Sequence, residues 1–257
     1  MLKKILGIAP KLESDGSYSP SKLALKLATV QKTDFQNTSY KKYEGKKSKV
    51  LVIFTEQKNL KMKNGKLFST GNHPVEALLP MLHLRNAGFD FEIATPTGKP
   101  VVFEMWAFPE KDEHVKAIYN DLKPQFDKPL KIKDFIENSF NDAGSYAAVF
   151  VPGGHGAMIG IPEDKNVGKA LIWAHENDLF TITLCHGPGS LLSTTLNNQK
   201  FIYEGYKMAV FPDSVDKITP MIGYLPGQMP HGLSEKIKSL GATIVNTKSD
   251  KTVCLDR

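Results

Sequence analysis

The chain has 257 residues, of which 41% are hydrophobic, 9% aromatic and 23% charged, a composition that excludes global disorder. No apolar run approaches the roughly 20 residues that a bilayer span needs, and the opening MLKKILGIAP has too short an apolar stretch for a signal peptide. Lys and Arg total 33 against 27 acidic residues, a net charge of +6, with much of the excess in KKYEGKKSK (41–49) and KMKNGK (61–66). No nucleic-acid motif accompanies these runs, so a solvated lysine-rich surface is expected and nucleic acid is not expected as a tight partner. Two cysteines, Cys185 and Cys254, are too few for a disulfide framework. A soluble, cytoplasmic protein with free thiols is expected.

Residues 1–47 are polar and weakly periodic and are expected to form an N-terminal extension to a domain spanning 48–257. KVLVIF (49–54) is a continuous apolar run typical of a parallel strand covered on both faces. HPVEALLPMLHLRNAG (73–88) has helical apolar spacing closed by Gly88, and FDFEIAT (89–95) is the next strand. Residues 96–140 hold one strand-like and two helical pieces among several prolines, and are expected as an inserted, smaller subdomain. YAAVFVPGG (146–154) resumes the buried-strand pattern, a helix is expected at about 163–177, and FTITLC (180–185) is a further strand. Another helix opens near Gly187, YKMAVFP (206–212) is a strand, LSEKIKSLGA (233–242) an amphipathic helix, and TIVN (243–246) a final short strand. Such alternation predicts an α/β fold: a flavodoxin-like three-layer sandwich with a mostly parallel sheet, plus the smaller subdomain. Ligands in such sheets bind beyond the carboxyl ends of the strands, where Cys185, Gly153 and Asp213 fall.

Thr183-Leu184-Cys185-His186-Gly187 is close to a nucleophile elbow, with Thr183 where a first glycine is usual. A tight strand-to-helix turn lifts the side chain into the crevice, and the following helix N-terminus favours a thiolate. A buried structural cysteine fits the same pattern equally well. In FVPGGHG (150–156), the glycines let the backbone approach a ligand and turn amides toward a developing negative charge, although an ordinary strand-to-helix turn would read the same way. The G-K-[ST] ending of a phosphate loop is absent.

With NGKLFSTGNHPVEALLP (64–80), FVPGGHGAMIG (150–160), LCHGPGSLL (184–192) and AVFPDSVDK (209–217), the chain resembles the DJ-1/PfpI superfamily. Within it, the motifs look like the Hsp31 group of glutathione-independent glyoxalases (glyoxalase III), also described as protein deglycases and holding chaperones. The resemblance runs from about residue 48 onward. It implies Cys185 as nucleophile, His186 as its partner, Asp213 of FPD as the acid that orients the imidazole, and Glu76 of HPVE as a carboxyl that contacts the thiol. Gly153 and Gly154 would supply oxyanion and substrate-binding amides. The implied substrate is a small α-oxoaldehyde turned over without a cofactor, with glycated or unfolded proteins as further partners and a homodimer as the assembly.

Members of the group often bind a metal through two histidines and an acid. The corresponding positions here are Arg85, Asp90 and Leu122, so no metal is expected. AHEND (174–178) lacks the second histidine of a metalloprotease helix. Members also continue past a segment like TVCLDR with a glycine-containing loop and a closing helix, so uncovered apolar surface that favours association is expected here. A PfpI-like cysteine peptidase and a non-enzymatic stress chaperone are the alternative functions. An amidotransferase is disfavoured, because the H-x-E that it would need near the C-terminus is missing.

Overall fold

The computed structural model describes residues 6–256. The tip MLKKI and Arg257, on which part of the signal-peptide and chain-end expectations rest, lie outside the described residues. The N-terminal region contributes β1 (Lys11–Leu12), β2 (Tyr18–Ser19) and α1 (Lys22–Ala28), the helix being capped by the Ser21 hydroxyl, which accepts from the Ala24 N–H at 3.1 Å. The apolar run that follows forms β3 (Lys49–Ile53), and β4 (Asn59–Lys61) and β5 (Leu67–Ser69) come next. A small four-stranded sheet joins these pieces in the order β1-β2-β5-β4.

The main sheet is built from β3, β6 (Asp90–Thr95), β7 (Leu130–Lys131), β8 (Tyr146–Val151) and β9 (Phe180–Thr183), in the order β7-β6-β3-β8-β9. Every pairing in it is parallel. Without the two-residue β7, the four longer strands follow the 2-1-3-4 order of a flavodoxin-like doubly wound sheet, with the order reversing between β3 and β8.

Strand periodicity divides the core between the two faces. Val50 and Val52 point with Phe91, Ile93, Ala148 and Phe150 toward α2 (Pro74–Asn86) and α3 (Glu113–Asp127). Leu51 and Ile53 point with Ala94, Val149 and Val151 toward α4 (Ile132–Ser139) and α5 (Lys165–Glu176). Residues 50–54 are all fully buried, and each such aliphatic side chain contributes roughly 1.5–3 kcal/mol through burial. That is why the segment reads as one unbroken apolar run.

Residues 96–140 are spread over this main sheet: β7 adds its outer strand, α3 packs on one face and α4 on the other. After β9, where a helix is expected from the sequence, the chain enters 3₁₀ turns over Gly187–Asn198, broken by non-helical backbone at Leu196 and Asn197. The strand expected at 206–212 shrinks to β10 (Lys207–Met208). The rest of the chain holds α6 (Asp213–Ile218), α7 (Leu233–Ser239) and β11 (Thr243–Ile244). β10 pairs with β11, away from the main sheet, and residues 209–212 instead run beneath the carboxyl end of β9. There the Phe211 N–H donates to the Cys185 carbonyl at 2.9 Å. Among the described residues, no helix is long and apolar enough to cross a membrane.

Candidate active site

Cys185 stands two residues past β9, at the carboxyl edge of the sheet, with φ +57°. The other described non-glycine residues at positive φ are asparagines and an aspartate, which tolerate the left-handed region through local hydrogen bonds. Cysteine has no such device, so the strained turn is held by its surroundings: the Gly187 N–H donates to the Leu184 carbonyl at 2.7 Å, and Phe211 grips the Cys185 carbonyl. The consequence is a side chain lifted off the strand and turned toward two neighbouring loops.

The Cys185 sulfur lies 3.3 Å from His186 Nδ1. His186 is fully buried, and its Nε2 is 2.9 Å from Asp216 Oδ2. Because the ionised carboxylate only accepts, Nε2 carries the hydrogen, and Nδ1 presents its lone pair to the thiol. Asp216, on α6, is the carboxylate of this relay. Asp213, expected in that role, sits one turn earlier on the same helix and faces elsewhere: it accepts from the Ser234 N–H at 3.0 Å and the Glu235 N–H at 2.9 Å. Asp213 therefore caps the first turn of α7, whose own Gly232 offers no side chain for the purpose.

A residue not singled out from the sequence joins the group. His155, in the turn after β8, places its Nε2 3.0 Å from the second oxygen of Asp216, and the two imidazole centroids are 4.0 Å apart. Its signal was present in FVPGGHG, as a histidine directly after two glycines that let the turn close over the crevice.

Glu76 reaches the thiol from the first turn of α2, where Pro74 starts the helix and the His73 ring accepts from the Glu76 N–H at 3.4 Å. Asn72 fixes the loop ahead of that helix. Its amide accepts from the Thr55 N–H and donates to the carbonyls of Thr55 and Val102, tying the loop to the end of β3. Glu76 Oε2 is buried without a hydrogen-bond partner. Gly153 makes room for it: a Cβ there would collide with Glu76 Oε2 and come within 2.6 Å of Cys185 Cβ. Gly154, at φ +100°, directs its N–H at the sulfur. The structure thus brings together Cys185, His186, Glu76, Gly153 and Gly154, with Asp216 in the acid position.

The electrostatics differ from the thiolate expected of a helix N-terminus. Burial, then Glu76, push the Cys185 thiol well up, and the Gly154 amide only partly opposes them. Burial also raises Asp216, but the two histidines overcome it and hold the carboxylate well below its usual range. Burial and the neighbouring His155 take His186 down. The resting site is a neutral thiol facing a neutral imidazole.

His155, His186 and Asp216 offer three ligand atoms within 4.8 Å of one another. Both histidine Nε2 atoms are already hydrogen-bonded to the carboxylate, so the donor set is satisfied internally and reads as a proton relay. At the positions of the group's metal site, Arg85 is ion-paired with Asp121 at 2.7 Å, Leu122 is buried in the core and Asp90 is exposed on β6.

A thiol, imidazole and carboxylate stand in series at the carboxyl edge of a doubly wound parallel sheet and define a cysteine-centred site. The chain is 45% identical over 250 residues to the protein/nucleic acid deglycase HchA of Staphylococcus aureus strain bovine RF122 / ET3-1, covering 96% of this chain and 86% of the relative. It is 44% identical over the same length to that of strain MSSA476, with the same coverage. The chain belongs to this HchA deglycase family, as its motifs imply. No protein-family model matches the sequence. Among solved structures, glyoxalase III from Candida albicans shares the fold at TM-score 0.61 and 23% identity, over 81% of this chain and 87% of that one. The Francisella tularensis rapid encystment protein shares it at TM-score 0.64 and 18% identity, over 80% and 86%.

Proposed function

We propose that the protein is a glutathione-independent glyoxalase that converts methylglyoxal to lactate on Cys185, with deglycase action on glycated amines as the related activity. The observation that carries this reading is the sulfur placed between His186 Nδ1, Glu76 and the Gly154 amide. The name of the Staphylococcus relatives, protein/nucleic acid deglycase, supports the deglycase part of it.

A neutral thiol becomes a nucleophile by giving up its proton as it attacks. His186 accepts that proton at Nδ1 while Asp216 steadies the imidazole through Nε2–H. The sulfur adds to the aldehyde carbon, giving a hemithioacetal whose oxygen is met by amides of the Gly153–Gly154 turn. Glu76 then takes the hydrogen from the former aldehyde carbon, forming an enediolate, and a proton returns to the adjacent carbon. This leaves a lactoyl thioester, which water hydrolyses to lactate and free thiol. No electrons are gained or lost overall, so neither glutathione nor a redox cofactor enters. Acid–base help of this kind is typically worth about 10²–10⁴-fold.

The test is incubation of purified protein with methylglyoxal and no added thiol, followed by chiral lactate analysis. Lactate from wild type and none from Cys185→Ala supports the reading. Casein cleavage that disappears in Cys185→Ala, with no lactate formed, would favour the peptidase. Two free cysteines suit a reducing, cytoplasmic setting. A homodimer and holding-chaperone activity are separate proposals, read by light scattering and by aggregation suppression that persists in Cys185→Ala.

A further inference from the structure

We propose that His155 is a positioning residue for this reaction: it carries the one proton that two imidazoles share on Asp216, and so keeps His186 uncharged and open to the thiol proton. The inference rests on the cysteine-centred reading above but is tested without substrate. Asp216 is 5% exposed and gives one oxygen to each histidine, at 3.0 Å for His155 and 2.9 Å for His186. Both rings therefore donate from Nε2, and their charge is decided at Nδ1. His186 Nδ1 faces the Cys185 sulfur, so a second proton there would block the transfer from the thiol.

Two imidazolium rings with centroids 4.0 Å apart would repel strongly in a buried site, so one carboxylate supports a single cation. The surroundings say which ring holds it. Asp216 and Glu76 act on both rings, Glu104 adds its field at His155, and the thiol lies against His186. Glu104 is fully buried, bound on one side by the Thr70 hydroxyl at 2.5 Å and with its other oxygen unpartnered. A further polar group near His155 is Tyr224, whose ring centroid is 5.9 Å away, and Phe68 packs edge-on at 5.5 Å. Burial raises Glu104, with the fields of His73 and His155 and the Thr70 hydroxyl opposing it in part, and Phe211 covers His186 at 4.5 Å. The titration directions agree. Burial lowers His155, but Asp216, then Glu104 and Glu76, turn the balance upward; burial and His155 together take His186 down. A carboxylate with only one histidine would instead draw the proton onto His186.

The experiment is imidazole ¹⁵N NMR titration of wild type, His155→Gln and His186→Gln, with activity measured in parallel. Glutamine keeps a donor for Asp216 but cannot carry the charge. The expected result is a cationic His155 and a neutral His186 at pH 7 in wild type. In His155→Gln, His186 should become charged in the neutral range, with kcat/KM falling roughly tenfold more between pH 8 and pH 6 than in wild type. A role confined to packing would lower kcat/KM equally at all pH and leave His186 unmoved. A cationic His186 in wild type, or an unchanged His186 titration in His155→Gln, overturns the proposal. If His155→Gln does not fold, the wild-type titration still decides it: a cationic His186, or a neutral His155, at pH 7 overturns the proposal. Absence of lactate from wild type would sink the glyoxalase reading while leaving the charge assignment intact.

Discussion

Asp216 Oδ2 lies 2.9 Å from His186 Nε2, while Asp213, three residues earlier on the same helix, turns its carboxylate to the first amides of α7. Two acids on one short helix therefore divide histidine pairing from capping. Asp216→Asn should lower kcat/KM by about 10²–10⁴-fold, the scale of losing general acid–base help. Asp213→Ala should leave kcat within a few-fold of wild type and cost about 1 kcal/mol of stability as a lost cap. Steady-state kinetics and thermal melts on both variants check this; the reverse pattern would return the acid role to Asp213.

Glu76 has two separable effects on Cys185. Its carboxylate, after burial, holds the thiol up, and in the proposed reaction it moves the carbon-bound proton. Glu76→Gln should therefore raise the rate of iodoacetamide labelling at neutral pH while lowering methylglyoxal turnover by about 10²–10⁴-fold. Labelling and turnover that fall together would point to simple disordering of the pocket.

Gly153 is required by contact rather than by backbone freedom. Gly153→Ala places a methyl group against Glu76 Oε2 and 2.6 Å from Cys185 Cβ, so one of the two reactive groups must move. Turnover should fall at least tenfold, since misplacement of about 1 Å can cost 10²-fold. The circular dichroism spectrum should remain that of wild type.

The pH dependence of stability follows from Asp216. Its pKa is depressed in the fold, so its contribution is full above the unfolded value of about 4 and is lost as pH falls below it. The Tm gap between wild type and Asp216→Asn should be widest near pH 7 and shrink below pH 4. A gap that widens toward acid would contradict the assignment.

The fold was legible where burial leaves a simple pattern. β3 and β8 are central parallel strands and read as buried apolar runs, and the half-exposed edge strand β9 still reads from its β-branched residues; β8 and β9 end in the turns that carry the candidate site. YKMAVFP reads the same way but pairs over only two residues with the equally short β11; beyond them Val210 and Pro212 are buried and the Phe211 N–H donates to the Cys185 carbonyl. Cys185 and Gly153 were readable from strand-end turns and Glu76 from a family motif. The choice between Asp213 and Asp216 was not. Residues i and i+3 share a helix face, and only the docking of α7 onto Asp213 separates them. His155 was hidden because its partner lies 61 residues away.

The chemistry at Cys185 is tested most directly by running the glutathione-free reaction with methylglyoxal in D₂O and reading the lactate by NMR. An enediolate formed on the thiol and reprotonated from solvent-exchangeable groups predicts deuterium at carbon 2 with wild type and no lactate with Cys185→Ala. Full retention of the substrate hydrogen at carbon 2, or lactate formed by Cys185→Ala, would contradict it.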